Sequence, residues 1–196
     1  MTLRPDLAAI ADFVPAGARV LDIGCGDGAL LAHLRDTKGV DARGIDVLAG
    51  NVASAVGRGL SVVQGDADAD LGDYPDGAFD MVILSDTLQA MCSPSAVLGE
   101  LLRIGRRGVV SFPNFGHWRV RSSLLFGGRM PVTPTLPVSW HETPNIHFCT
   151  IDDFRGLVAE LGLAIESARF LSGGRRRGAG WPNLLAEQAV FVLSRP

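Results

Sequence analysis

The chain has little cysteine, no excess of positive charge and no long run of apolar residues. Its three cysteines are odd in number and far apart in 196 residues, which is typical of reduced cytoplasmic thiols rather than of a disulfide framework. A net charge of −3 argues against general nucleic-acid binding, which needs a surplus or patch of Lys and Arg. No stretch reaches the roughly 18 uninterrupted apolar residues of a membrane span. We therefore expect a cytoplasmic protein with neither nucleic acid nor membrane as a partner.

The sequence also lacks the features of a targeting signal and of a disordered chain. Its first six residues have no basic start, apolar run or cleavage site of a secretory signal. Hydrophobic residues make up 47% of the chain and charged residues 20%, a balance typical of globular proteins. A length of 196 residues suffices for one α/β domain with a core but not for two. We therefore expect a single domain over residues 1–196.

What is present is an alternation of β-branched apolar segments with helical patterns through the first 110 residues. This alternation predicts an α/β fold with a mostly parallel sheet and helices on both faces. The expected helices cover 7–14, the segment from the glycine loop to about 36, 49–57, 94–104 and 150–162. The expected strands are seven, over 19–23, 41–46, 60–64, 79–84, 108–112, 163–170 and 187–193.

The alternation ends after the fifth predicted strand. Residues 113–149 contain five prolines and three of the four histidines. Because a regular crossover helix cannot contain so many prolines, we expect an insertion that folds over one edge of the domain. A helix start follows it, where Thr150 can cap and Asp153 stands three residues on.

The strongest motif is a buried strand that runs directly into a glycine turn and a helix, Val20-Leu21-Asp22-Ile23-Gly24-Cys25-Gly26-Asp27-Gly28. Glycine allows backbone conformations denied to other residues and lets a ligand approach closely. Gly24, Gly26 and Ala29 also satisfy the dinucleotide fingerprint, so an NAD-dependent oxidoreductase stays an alternative on spacing alone. A carboxylate at Asp22 would repel a pyrophosphate and attract the ammonium of an amino-acid moiety. The motif therefore favours a ligand with positive charge near the turn.

Further polar residues follow the next strands. Asp46 ends the second strand, where a carboxylate can accept both hydroxyls of a ribose. Asp66 follows the third strand and can accept a hydrogen bond from an adenine amino group, while Ser85 follows the fourth strand and would border the ligand. Because parallel strands end at one edge of the sheet, these positions should converge on one crevice. A turn or helix-cap role is the alternative for Asp66, and more so for Asp27 and Asp86.

Residues 18–112 resemble the class I S-adenosylmethionine-dependent methyltransferases. A narrower resemblance, to the bacterial methionine biosynthesis family MetW, extends over nearly the whole chain. Besides residues 22–28, it is carried by Val110-Ser111-Phe112-Pro113-Asn114-Phe115-Gly116-His117-Trp118-Arg119-Val120-Arg121, Gly128-Arg129-Met130-Pro131-Val132-Thr133, Thr143-Pro144-Asn145-Ile146-His147-Phe148-Cys149-Thr150-Ile151 and Trp181-Pro182-Asn183-Leu184-Leu185.

The resemblance implies a Rossmann-like class I methyltransferase fold, S-adenosylmethionine or S-adenosylhomocysteine as cofactor, and support of homoserine O-acyltransferase (MetX) in methionine biosynthesis. It implies no methyl acceptor. Two features depart from the pattern: Asp86 stands where an uncharged polar residue is expected, and residues 47–50 are less polar than in relatives. Either can alter the edge of the pocket. The expected cofactor-binding residues are Asp22, Gly24, Cys25, Gly26, Asp46, Val47, Asp66, Ala67 and Ser85.

Catalytic groups are harder to assign. Methyl transfer from a sulfonium is an in-line displacement that needs chiefly alignment, so a catalytic residue is optional. His117 is the candidate base, and Cys25 is interpreted as a small loop residue rather than a nucleophile. The spacings of His117, His141, His147 and Cys149 match no common zinc pattern, so we predict no metal site.

Two hypotheses about function stay open beside the oxidoreductase alternative. The chain is either an accessory protein of homoserine acylation that binds the cofactor, or a free-standing small-molecule methyltransferase whose insertion encloses the acceptor. The exit of the fourth strand has no Asn-Pro-Pro-Tyr-like element, which gives no support to an amino-group acceptor on nucleic acid.

Overall fold

A computed structural model describes residues 3–196, and eight strands form one sheet there. In chain order they are β1 (Arg19–Ile23), β2 (Asp41–Asp46), β3 (Ser61–Gln64), β4 (Phe79–Ser85), β5 (Gly105–Pro113), β6 (Ala164–Ser172), β7 (Arg175–Arg177) and β8 (Gln188–Ser194). Their spatial order is β3-β2-β1-β4-β5-β8-β6-β7. The first five strands pair in parallel, and β8 is antiparallel to both β5 and β6. The predicted α/β class with a mostly parallel sheet is therefore confirmed.

The predicted number of seven strands is corrected to eight. The additional strand, β7, lies between the last two predicted strands, and it pairs antiparallel with the end of β6. Gly173 and Gly174 make the connecting turn with φ of 56° and 71°, a conformation typical of a tight hairpin. Three consecutive arginines carry no apolar alternation, so the pattern of the sequence did not predict this strand.

In the described part of the chain, seven α-helices precede or connect the strands and cover both faces of the sheet. They are α1 (Pro5–Ala11), α2 (Ala29–Lys38), α3 (Ala49–Gly57), α4 (Pro94–Ile104), α5 (Trp118–Ser122), α6 (Ile151–Glu160) and α7 (Pro182–Leu185). On one face, Phe112 and Phe191 of the sheet pack with Phe154 of α6, with ring centroids 4.8 and 4.9 Å from that of Phe154. On the other, α1 and α2 bury Ile10 and Leu34. Among residues 3–196, no helix has the length and apolar character needed to cross a bilayer.

The predicted helix start at Thr150 is confirmed as a capping box. The amide of Asp153 donates to the Thr150 side chain at 3.2 Å, and the Thr150 amide donates to the Asp153 carboxylate at 2.9 Å. Two amides at the helix start that have no intrahelical partner are thus satisfied. This capping fixes the point at which the chain returns to regular structure after residues 113–149.

Residues 113–149 contain α5, a π-helical turn at Ser123–Gly127 and mostly irregular chain beyond it. Buried Asn114 anchors the beginning of this segment, since its amide group donates to the carbonyls of Asn183 and Ala186 at 3.0 and 2.8 Å. Near the end of the segment, the amides of Ile146 and His147 both donate to the carbonyl of Gln89 at 2.9 Å. The segment is therefore attached to the rest of the domain near both of its ends.

Candidate cofactor-binding site

The glycine turn after β1 is held against the end of β2. The amides of Gly24 and Cys25 both donate to the carbonyl of Ile45, at 2.8 and 3.2 Å. Gly24 and Gly26 have φ of 71° and 58°, which L side chains rarely adopt. A Cβ at Gly24 would lie 2.5 Å from Oγ1 of Thr87, whereas a Cβ at Gly26 would meet nothing within 4 Å. Gly24 is thus required by packing, and Gly26 leaves open space beside its backbone.

Asp46 connects this turn to the start of α3. Its buried carboxylate accepts a hydrogen bond at Oδ2 from the amide of Gly26 at 2.8 Å, and at Oδ1 from the amide of Leu48 and Nδ2 of Asn51 at 2.9 and 3.0 Å. Each carboxylate oxygen can accept more than one hydrogen bond. Asp46 therefore orders the turn and retains capacity at Oδ2 for a ligand hydroxyl.

Asp22 is a buried carboxylate on β1. Within residues 3–196, no hydrogen-bond donor reaches its Oδ1. Burial, followed by the nearby charge of Asp46, raises the pKa of Asp22 to about 8. An unsatisfied buried acceptor costs about 1–3 kcal/mol, so its retention needs an explanation. Together with the open space at Gly26, it fits a cationic ligand group that approaches the turn.

A cavity of about 490 Å³ opens beyond the carboxyl ends of these strands. We call it the cofactor crevice. Five of the predicted cofactor-binding residues line it, namely Gly24, Asp46, Val47, Asp66 and Ala67. The other four, Asp22, Cys25, Gly26 and Ser85, are not among the wall residues in the described part of the chain. Sequence reasoning missed several wall residues, including Asn51, Asp68, Thr87, Met91 and Asn145.

Cys25 and Ser85 take up structural positions beside the crevice. The Cys25 side chain belongs to a buried apolar cluster with Leu31 and Ala55, and burial raises its pKa to about 12. Its thiol stays protonated at neutral pH, as expected of a loop residue. Ser85 accepts a hydrogen bond at its carbonyl from Oγ1 of Thr87 at 2.8 Å, which fixes the Thr87 side chain against Gly24.

The aspartates after β3 form turns as well as cavity wall. Asp66 is exposed, and its Oδ1 accepts a hydrogen bond from the amide of Asp68 at 2.9 Å. The Asp68 carboxylate in turn accepts from the amides of Cys92 and Ser93, at 2.9 and 3.3 Å, just before α4. This turn thus joins one side of the crevice to the segment after β4.

Within residues 3–196, His117 lines neither the cofactor crevice nor a second cavity that adjoins the crevice at residues 144–145. It is buried, its Nδ1 accepts a hydrogen bond from the amide of Arg119 at 3.4 Å, and it caps α5. Burial lowers its pKa. His117 is absent from the described walls of both cavities, so its role as a base stays a prediction.

A family model described as "Methionine biosynthesis protein MetW" matches residues 4–193. The chain belongs to the MetW family. This MetW-family chain is 38% identical over 207 residues to the bifunctional methionine biosynthesis protein MetXA/MetW of Rhodopirellula baltica. The match covers 100% of the chain but 33% of that relative. The chain therefore spans about one third of the length of this relative.

Other matches to methyltransferases either cover about half of the chain or are similarities of structure at low sequence identity. The demethylmenaquinone methyltransferase of Thermus thermophilus is 36% identical over 107 residues, covering 50% of the MetW-family chain and 49% of the enzyme. Among solved structures, a TehB-like SAM-dependent methyltransferase of Corynebacterium glutamicum matches with TM-score 0.66 and 19% identity, over 100% of the chain and 89% of that protein.

A possible histamine N-methyltransferase of Thermotoga maritima matches with TM-score 0.70 and 17% identity, over 98% and 88% of the two chains. At such identities the structural similarity establishes the fold alone. The predicted Rossmann-like methyltransferase fold is confirmed, and the MetW-family chain is a methyltransferase-like protein of methionine biosynthesis.

Proposed function

We propose that this chain binds S-adenosylmethionine or S-adenosylhomocysteine in the cofactor crevice and acts as an accessory protein of homoserine O-acyltransferase (MetX). The observation that supports this choice of partner is the alignment of the whole chain with one third of a protein named as bifunctional MetXA/MetW. When two proteins of one pathway are joined in a relative, the separate chains are good candidates for direct association. We also propose that residues 1–196 form one cytoplasmic domain with an insertion over 113–149.

The residues of the crevice fit such a cofactor. When bound, S-adenosylmethionine would supply an activated methyl group on a sulfonium. Asp22 would compensate the amino-acid ammonium beside the turn, where Gly26 leaves open space. Asp46 would accept ribose hydroxyls at its free lone pairs, and the adenine would lie against Val47, Asp66 and Ala67. The volume of about 490 Å³ is within the usual range of small-molecule sites.

The cofactor is tested by calorimetric titration with S-adenosylmethionine, S-adenosylhomocysteine and NAD. We expect both sulfur nucleosides to bind and NAD not to bind. Asp46→Ala should weaken both by about 1–2 kcal/mol, close to tenfold, because a charge-assisted hydrogen bond to ribose is lost.

Asp46→Asn is the matched control, since the amide keeps the size and one acceptor oxygen and should lose less affinity than alanine. Binding of NAD without either sulfur nucleoside would refute the proposed cofactor and favour an oxidoreductase.

The segment after β5 presents a surface that fits a protein partner. Leu125 and Phe126 in the π-helical turn are 76% and 85% exposed, and Trp118 on α5 is also exposed. Arg119 and Arg121 flank them. Aromatic residues and arginine are enriched in protein interfaces, and neighbouring apolar residues exposed together mark interaction sites. We propose this surface as the contact with the acyltransferase.

The partner is tested by mixing the purified chain with homoserine O-acyltransferase from the same organism. We expect the two to co-elute and the activity or thermal stability of the acyltransferase to change. The double substitution Leu125→Ser and Phe126→Ser should abolish co-elution without unfolding the chain, because both side chains are exposed. Val56→Ser on α3, also at an exposed apolar residue, should leave it intact.

Absence of both co-elution and any effect would contradict the accessory function.

The alternative is a free-standing small-molecule methyltransferase, and it is favoured by a second cavity that adjoins the crevice. Accumulation of S-adenosylhomocysteine from S-adenosylmethionine and a metabolite pool, without the acyltransferase, would support that alternative.

A further inference from the structure

A second cavity of about 200 Å³ lies between the segment after β5 and the body of the fold. We call it the insertion pocket. Asp86, Pro144 and Asn145 line both this pocket and the cofactor crevice, so the two cavities adjoin. The methyltransferase alternative predicted that the insertion encloses a ligand, but the sequence did not specify the wall residues, because they lie largely in irregular chain.

Aromatic and aliphatic side chains make up most of the wall. Phe115 and Phe148 pack with their ring centroids 4.8 Å apart, and Trp140 adds an exposed indole. Leu136 and Met130 complete an apolar lining. The faces of aromatic rings carry partial negative charge and attract cations within about 6 Å.

Asp86 is the only charged residue in the described wall of this pocket. Its Oδ2 accepts a hydrogen bond from Nη2 of Arg4 at 2.8 Å, but its buried Oδ1 has no donor within residues 3–196. Arg4 also donates to Oδ1 of Asp6 through Nε at 3.1 Å. One guanidinium therefore serves two carboxylates, and the three side chains together carry one negative charge when both are ionised.

The backbone of Asp86 is also unusual. Its φ of 54° lies in the left-handed region, which few residues with a side chain adopt and which Asp and Asn tolerate better than most. The amide of Asp86 is held by the carbonyl of Ser111 at 3.0 Å. Burial and the neighbouring Asp6 raise the pKa of Asp86, Arg4 opposes both, and the resulting pKa is about 6. Such strained and incompletely paired residues are concentrated at functional sites.

We infer that the insertion pocket binds a small organic ammonium ion, with its charge beside Asp86 and its apolar part against the aromatic rings. An anion would be repelled by Asp86, and a molecule without a donor group would leave its Oδ1 without a partner. A volume of about 200 Å³ lies below the usual range of small-molecule sites, about 300–1,000 Å³, so the ligand must be small. The inference goes beyond the proposed cofactor and partner, and it does not require either.

The pocket can be tested by NMR of the protein labelled with ¹³C at the methionine methyl groups. Of the four methionines, Met130 lines the insertion pocket and Met91 lines the cofactor crevice. The probes are benzylamine, benzyl alcohol and benzoate, added to the ligand-free protein. We expect benzylamine to shift the Met130 signal and to bind at least about tenfold more tightly than benzyl alcohol, with no binding of benzoate.

Asp86→Asn is the decisive variant, because asparagine tolerates a positive φ and removes only the charge. It should weaken benzylamine by about tenfold and leave benzyl alcohol unchanged. If this variant does not fold, Trp140→Leu at an exposed side chain should weaken benzylamine several-fold.

The inference is overturned if benzyl alcohol binds as tightly as benzylamine, or if benzylamine at millimolar concentration does not shift the Met130 signal. It is equally overturned if Asp86→Asn, once folded, leaves benzylamine binding unchanged. The shift of Met91 by S-adenosylhomocysteine alone reports separately on the proposed cofactor site.

Discussion

Asp22→Asn is expected to stabilise the ligand-free protein and at the same time to weaken its binding of S-adenosylhomocysteine by more than about tenfold. The carboxylate is buried and has an oxygen without a donor in residues 3–196. Asparagine has the same shape without the charge that burial opposes. The stabilisation should be on the order of 2–4 kcal/mol at neutral pH. Thermal unfolding and calorimetric titration measure the two effects on the same samples.

The pH dependence of this effect has a definite sign. The pKa of Asp22 is raised from 3.8 to about 8 in the folded protein, so the folded state retains a proton that the unfolded state releases. The stability that this proton contributes is complete below about pH 4 and is lost as pH rises to about 8. The stability advantage of Asp22→Asn should therefore widen with pH across this window. An advantage that does not change with pH would contradict the assignment.

The same carboxylate should couple cofactor binding to proton release. An ammonium placed beside Asp22 favours its ionised form, so at about pH 7 the binding of S-adenosylhomocysteine should release close to one proton from a group whose pKa is about 8. Calorimetry in two buffers of different ionisation enthalpy measures the number of protons released. In Asp22→Asn this release should disappear.

Alanine at Gly24 and at Gly26 should damage the protein in different ways. At Gly24 the new methyl group would lie 2.5 Å from Oγ1 and 2.8 Å from Cγ2 of Thr87, at a φ of 71°, so we expect a loss of about 2–3 kcal/mol of stability. At Gly26 the methyl group meets no protein atom, so the cost is the backbone strain alone, about 1–2 kcal/mol. Because the methyl group fills the open space of the turn, Gly26→Ala should lower the affinity for S-adenosylhomocysteine by about a hundredfold.

Gly17→Ala is the matched control for backbone strain. Gly17 also has a positive φ, 70°, and a Cβ there would meet nothing within 4 Å, but it lies in the turn before β1 rather than at the crevice. It should lose as much stability as Gly26→Ala and retain full affinity. Equal affinities of the Gly17→Ala and Gly26→Ala proteins would show that no ligand approaches the turn. Urea unfolding and titration with S-adenosylhomocysteine separate the two quantities.

The regular elements were predictable where apolar periodicity marks them. The bounds of β1, β2 and α3 are the predicted ones, because each has a clear pattern between turn residues. Helix α1 begins at Pro5 rather than at residue 7, since proline suits the first helical position. Strand β5 begins at Gly105 rather than at residue 108. Its first residues are Gly105, Arg106 and Arg107, which pair with β4 but show no apolar pattern.

The site was predictable to the extent that it follows strand ends. Asp22 and Asp46 were located by their positions on β1 and β2, since parallel strands bring their carboxyl ends together. Asn145 lies far away in sequence, in irregular chain without periodicity, and only the folded structure places it in the wall of the crevice. Arg4 and Asp86 are 82 positions apart, so no local pattern in the sequence predicts their contact.

The carbonyl of Gln89 links the wall of the cofactor crevice to the end of the segment over residues 113–149. It receives both amides of residues 146 and 147, while its chain neighbours Ala90 and Met91 form part of the crevice wall. If a ligand displaces this short backbone stretch, residues 146 and 147 must move with it, or their two hydrogen bonds to Gln89 must break. We therefore expect ligand binding in the crevice to be coupled, through this one peptide group, to the surface that residues 113–149 present to another protein.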